Sequence, residues 1–73
     1  MIFNVRWTPL GDSREYRSRN RPTADDATDF ACTILDQMAV DAIQVMDVSG
    51  QHVLMMPEIV RFWRAKQPRP GLT

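Results

Sequence analysis

Between Thr23 and Met38, apolar side chains recur at Ala24, Ala27, Phe30, Ala31, Ile34, Leu35 and Met38. Projected at 100° per residue, they fall within an arc of about 140°, with Asp25, Asp29, Thr33 and Asp36 opposite. Thr23 has the side chain of a helix cap, and Asp26 stands three residues later, a capping box with Asp in place of Glu. Asp25, Asp26 and Asp29 put negative charge in the first turns, where the helix dipole favours it. The spacing predicts a helix of roughly 16 residues. A helix apolar on one side must cover another apolar layer, and that need constrains both flanks.

Both flanks read as strands. In residues 2–8, Phe3, Val5 and Trp7 alternate with Ile2, Asn4 and Arg6, the period of a strand with one buried face. Pro9, Gly11 and Asp12 end it in a turn, and the polar run Arg14–Asn20 is expected to return as an edge strand guarded by charge. After the helix, Ala42–Val48 and Gln51–Met56 are joined through Ser49-Gly50, a hairpin signal because Gly supplies the positive φ of a tight turn. Pro57 suits the first position of a second, short helix, with Ile59, Phe62, Trp63 and the stem of Lys66 on one face and Arg61 and Arg64 on the other. Gln67–Thr73 contains two prolines and a glycine and is expected to be a flexible tail. The expectation is an α+β fold: an antiparallel sheet of two hairpins (ββαββ) packed on one long helix, plus a short C-terminal helix. Residues 1–66 form one domain and 67–73 the tail.

The 73 residues leave no room for a second domain, and no run approaches the roughly 20 apolar residues of a membrane span. The start lacks a basic head, an apolar stretch and a small-residue cleavage site, so a cytoplasmic protein without a signal peptide is expected. One cysteine forms no internal disulfide and no thiolate zinc site. With 44% apolar residues the chain can fold, yet a domain this short buries only about 60% of its unfolded surface. Chains of this size often gain stability by pairing with a second copy.

Nine Lys and Arg balance nine Asp and Glu, but the charges are segregated. Residues 1–21 carry Arg6, Arg14, Arg17, Arg19 and Arg21 against Asp12 and Glu15. Residues 22–50 carry Asp25, Asp26, Asp29, Asp36, Asp41 and Asp47 and no cation. Residues 51–73 carry Arg61, Arg64, Lys66 and Arg69 against Glu58. Pairing within the fold is the simpler account of this pattern; a dipolar surface that steers a partner is the sharper one.

Two sites follow from these patterns. The second hairpin is apolar on both sides, with Ile43, Val45, Val53 and Met55 on one and Met46, Val48, Leu54 and Met56 on the other. One helical layer covers only one side, so Met46, Val48, Leu54 and Met56 are the expected interaction face, for a second copy or another protein. The alternative is nucleic acid. Arg17, Arg19 and Arg21, two apart on a strand, would project from one face about 6.5–7 Å apart, joined by Arg61 and Arg64, with Trp7 or Tyr16 stacking on a base. A pI near 6.5 argues against it, since an edge strand made soluble by charge explains the same arginines.

Chemistry finds little footing. The stripe Asp25, Asp29, Asp36 has no histidine beside it, and helix-dipole stabilisation accounts for it. Cys32, on the flank of the apolar arc, reads as a small hydrophobe, and His52 as a rim residue. Phosphate loops, dinucleotide fingerprints and zinc spacings are absent. No catalytic residue, metal, cofactor or small-molecule substrate is expected.

The stretches Thr23-Ala24-Asp25-Asp26-Ala27-Thr28-Asp29-Phe30-Ala31 and Ile43-Gln44-Val45-Met46-Asp47-Val48-Ser49-Gly50-Gln51-His52-Val53 resemble short proteobacterial ββαββ families of unknown function. Their helix runs acidic-Ala-hydrophobic-Ala and their closing hairpin reads hydrophobic-x-Val-x-Asp-x-x-Gly. The resemblance implies the fold and a bacterial origin, and it transfers no site. The sequence therefore points to a non-enzymatic interaction module that self-associates.

Overall fold

Alternation in the first strand reaches the structure as the centre of a sheet. In the computed structural model, which describes residues 2–66, strand β1 (Phe3–Pro9) pairs on both sides. Its antiparallel partners are β2 (Tyr16–Arg17) and β3 (Val40–Asp47), and β4 (His52–Leu54) adds to β3, for the order β2-β1-β3-β4. Helix α1 (Ala24–Gln37) connects the two hairpins, and α2 (Met56–Lys66) follows β4. The fold is the expected α+β one, an antiparallel sheet with one long helix and one short C-terminal helix. The tail expected over 67–73 lies outside the described residues.

Helix α1 begins where its cap places it. Thr23 is extended (φ −134°, ψ 156°), and its Oγ1 accepts a hydrogen bond from the Asp26 N–H at 3.0 Å. The helix stops at Met38, which returns to extended geometry while its N–H donates to the Ile34 carbonyl at 3.0 Å. Helix α2 starts one residue before Pro57. The Met55 carbonyl accepts from the Glu58 and Ile59 N–H groups, and the Glu58 carboxylate accepts from the Met55 N–H at 3.4 Å, half of a capping box.

Both helices cover one sheet face. Val5, Ile43 and Val45 meet Ala27, Ala31 and Ile34 from α1 and Ile59 from α2, with Val40 at the margin. Alanine at two facing positions lets α1 lie close to the strands. Phe3, Trp7, Phe30, Leu35, Leu54 and Met56 pack around this centre. The strand register fixes the opposite face: Asn4 beside Met46, Arg6 beside Gln44, Thr8 beside Ala42, with Arg17 and His52 on the flanking strands. No helix covers that face among the described residues.

The edge strand expected over 14–20 is only two residues long. Val5 donates to Ser18 Oγ at 2.8 Å where a ladder would offer a carbonyl, and Arg21 then returns to exchange backbone hydrogen bonds with Phe3 at 2.8 and 2.6 Å. Arg6 opposes Arg17 and Phe3 opposes Arg21, so an extra residue is absorbed between the two contacts and the alternation breaks.

Candidate interaction surface

Turn chemistry sets up the second hairpin. Gly50 adopts φ +92°, where a side chain would be strained, and its N–H donates to the Asp47 carbonyl at 3.1 Å. Asp47 is buried, and its Oδ1 accepts from the Ser49 N–H (2.9 Å), the Ser49 hydroxyl (2.6 Å) and the Gln51 N–H (3.0 Å). The Ser49 hydroxyl, followed by the backbone donors, holds its carboxyl below the usual carboxylate range.

Beyond that turn the register slips. Met46 opposes His52, yet Val45 opposes Leu54, so Val53 is an extra residue on β4. The bulge decides which side chains enter the core. With regular pairing Leu54 would share the side of Met46; the extra residue turns it instead to the helix-covered side, where it packs on the core. Met56, at the start of α2, packs there too. Met46 is only 5% exposed, and Val48, in the turn, is 59% exposed. The four residues expected as one interaction face, Met46, Val48, Leu54 and Met56, are therefore dispersed: two on the core, one buried on the uncovered face, one in a loop.

The exposed apolar surface of this hairpin lies elsewhere. Val53, Met55 and Phe62 are 38%, 45% and 51% exposed. Val53 and Phe62, with Leu54, Ala24 and Thr28, line a groove of about 520 Å³ between β4 and the two helices, walled on the α1 side by Asp25 and Asp29 and on the α2 side by Lys66. Lys66 pairs with Asp29, and this contact raises the Lys66 pKa. Asp25 makes no ion pair among the described residues. The groove borders β4, whose outer edge pairs with no strand among the described residues. Sequence reasoning placed Val53 and Met55 on the covered side and so missed this rim; nothing short of the bulge reveals it.

The arginines proposed for nucleic acid are also separated. Arg21 turns to the helix side, its Nη1 3.3 Å from Asp26 Oδ1 and its Cζ 4.2 Å from the Phe30 ring centroid. Arg17 opposes Arg6 on the uncovered face, and Arg19 is exposed in the following loop. Arg61 and Arg64 are exposed on α2, in the layer on the other side of the sheet. Trp7 is taken up internally, stacked on Tyr16 (5.8 Å between ring centroids) and edge-on to Phe30 (6.0 Å). No single face presents all five arginines with an aromatic platform. Two of the segregated cations are instead used within the fold: Arg21 from the first basic segment and Lys66 from the second both clasp the acidic helix, and Trp63 Nε1 donates to Asp36 at 2.8 Å.

Cys32 is buried on α1, and desolvation pushes its thiol pKa up, away from the reactive thiolate. His52 is exposed on β4 in register with Met46, across the sheet from Cys32. The two are not a catalytic pair. Among the described residues, no group of three or more His, Cys, Asp or Glu side chains is placed to hold a metal ion, and no helix is long and apolar enough to cross a membrane. No family model, no curated protein and no solved structure matches this chain.

Proposed function

We propose that this chain is a small non-enzymatic interaction module that pairs with a second copy of itself along β4 and the groove beside it. The observation that supports this is the exposed rim of Val53, Met55 and Phe62 next to a strand edge that pairs with no strand among the described residues. Apolar surface beside free backbone hydrogen-bonding groups is a template for strand addition. A copy is favoured as occupant because the groove is self-complementary in charge. Its α1 wall is acidic, with Asp25 making no ion pair among the described residues, while α2 carries the exposed Arg61 and Arg64. Opposite charges on one chain suit a two-fold contact, in which each patch meets the complementary patch of the other copy. A thin core gives such pairing a thermodynamic purpose. The reading places the protein in the cytoplasm and assigns it no catalytic residue and no cofactor.

Light scattering after gel filtration tests it. The protein should elute as a dimer that dissociates on dilution, and Val53→Lys or Phe62→Lys should give monomers with unchanged circular dichroism. A wild-type monomer at every concentration, or dimers unaffected by both substitutions, would refute the pairing.

A further inference from the structure

A second surface lies on the other side of the sheet. On the uncovered face, Arg6 and Arg17 stand directly opposite each other on β1 and β2. Their neighbours Val5 and Ser18 exchange hydrogen bonds, so the arginines occupy a non-hydrogen-bonded position, where Cβ atoms are about 4.5–5.5 Å apart. Two like charges at that spacing destabilise a sheet unless something lies between them. Nothing does among the described residues: neither guanidinium reaches a carboxylate or any other hydrogen-bond partner. Arg6 Nε is buried without a partner. Arg21 Nε is also without one, but that guanidinium rests on Phe30 and Asp26. The side chains registered around the pair on this face are Asn4, Thr8, Ala42, Gln44, Met46 and His52, and no carboxylate is among them.

Asn4 adds an independent sign. It is 5% exposed, lies two residues along β1 from Arg6 on the same face, and its Oδ1 is buried without a partner. Buried polar groups are nearly always satisfied, so an orphaned donor and an orphaned acceptor on one small patch mark it as incomplete. We propose that Arg6 and Arg17 form an oxyanion site for a phosphate group, with Asn4 at its margin. A phosphate oxygen pair matches the planar fork of each guanidinium, and its charge removes the Arg–Arg repulsion. Chloride lacks the paired oxygens that match the fork. The site is independent of the β4 groove, which lies on the helix side of the sheet.

Thermal unfolding in inorganic phosphate, against sodium chloride at equal ionic strength and pH, provides the test. Phosphate should raise Tm saturably above the chloride control. Arg17→Gln, at an exposed position where folding is not at stake, should abolish that increment, and Arg6→Gln should do the same. Arg64→Gln, on α2, should keep it. Equal effects of the two salts, or loss of the increment in Arg64→Gln as well as Arg17→Gln, would overturn the site. A competing oligothymidylate assigns the source of the phosphate. Displacement that fails in Arg17→Gln identifies a phosphodiester backbone, whereas phosphate binding without displacement identifies a free phosphate or monoester.

Discussion

The sheet ends in two edges, and they are finished differently. At the β2 edge the strand is cut to two residues, and its surroundings are knitted together: Tyr16 on Trp7, Trp7 on Phe30, Arg21 across Phe30 to Asp26. Arg14, Glu15 and Arg17 guard the outside. At the β4 edge the strand itself holds no Asp, Glu, Lys or Arg, a bulge pushes Val53 outward, and Phe62 lies bare beside it. Natural sheets blunt their edges with short strands, charge or bulges. The β2 edge uses charge and internal stacking; the β4 edge has brevity and a bulge but keeps its apolar rim. An edge left apolar in a chain with so little core is where association is expected.

The contrast can be broken from either end. The largest effect is expected at Ile59, which is fully buried and ties α2 to the core. Ile59→Ala should cost about 3 kcal/mol in denaturant unfolding, and hydrogen exchange should accelerate first in α2 and β4 while β1–β3 stays protected. At the opposite edge, Tyr16→Ala removes one ring of the stack and should cost about 1 kcal/mol while leaving the oligomeric state unchanged; a lost dimer would show the β2 edge to be the contact. The smallest effect sharpens the comparison through pH. Because the folded carboxyl of Asp47 titrates below its ordinary value of 3.8, its contribution is full above that value and vanishes as pH falls through the lower folded one. In Asp47→Asn the urea midpoint should therefore fall less between about pH 4 and pH 2 than in the wild type. An equal fall in both would remove Asp47 from the acid sensitivity of the β3–β4 turn.

What could be read from the sequence was local. Helix α1 announced itself through Thr23, Asp26 and an apolar arc, and each of those signals acts within a few residues. The Ser49-Gly50 turn was equally plain, and the Asp-x-x-Gly spacing set Asp47 at its base; that its buried carboxylate gathers the Ser49 and Gln51 donors is a matter of side-chain geometry that spacing alone does not carry. The bulge at Val53 left no such trace, having neither glycine nor proline to mark it, so the side assigned to Leu54 was reversed. The arginine triplet failed for a similar reason. Period-two spacing projects residues to one side only while the ladder is regular, and at Ser18 a hydroxyl interrupts it. Register is settled by pairing across the sheet, which no single segment encodes.

Val53 also fixes the chain's arithmetic. Between the Gly50 turn and α2, one surplus residue decides which of two neighbouring side chains stays dry. A deletion there would move Leu54 to the wet side and bring its neighbours inward, a frame error at the level of shape. Families descended from this chain should tolerate exchange at position 53 more readily than loss of it.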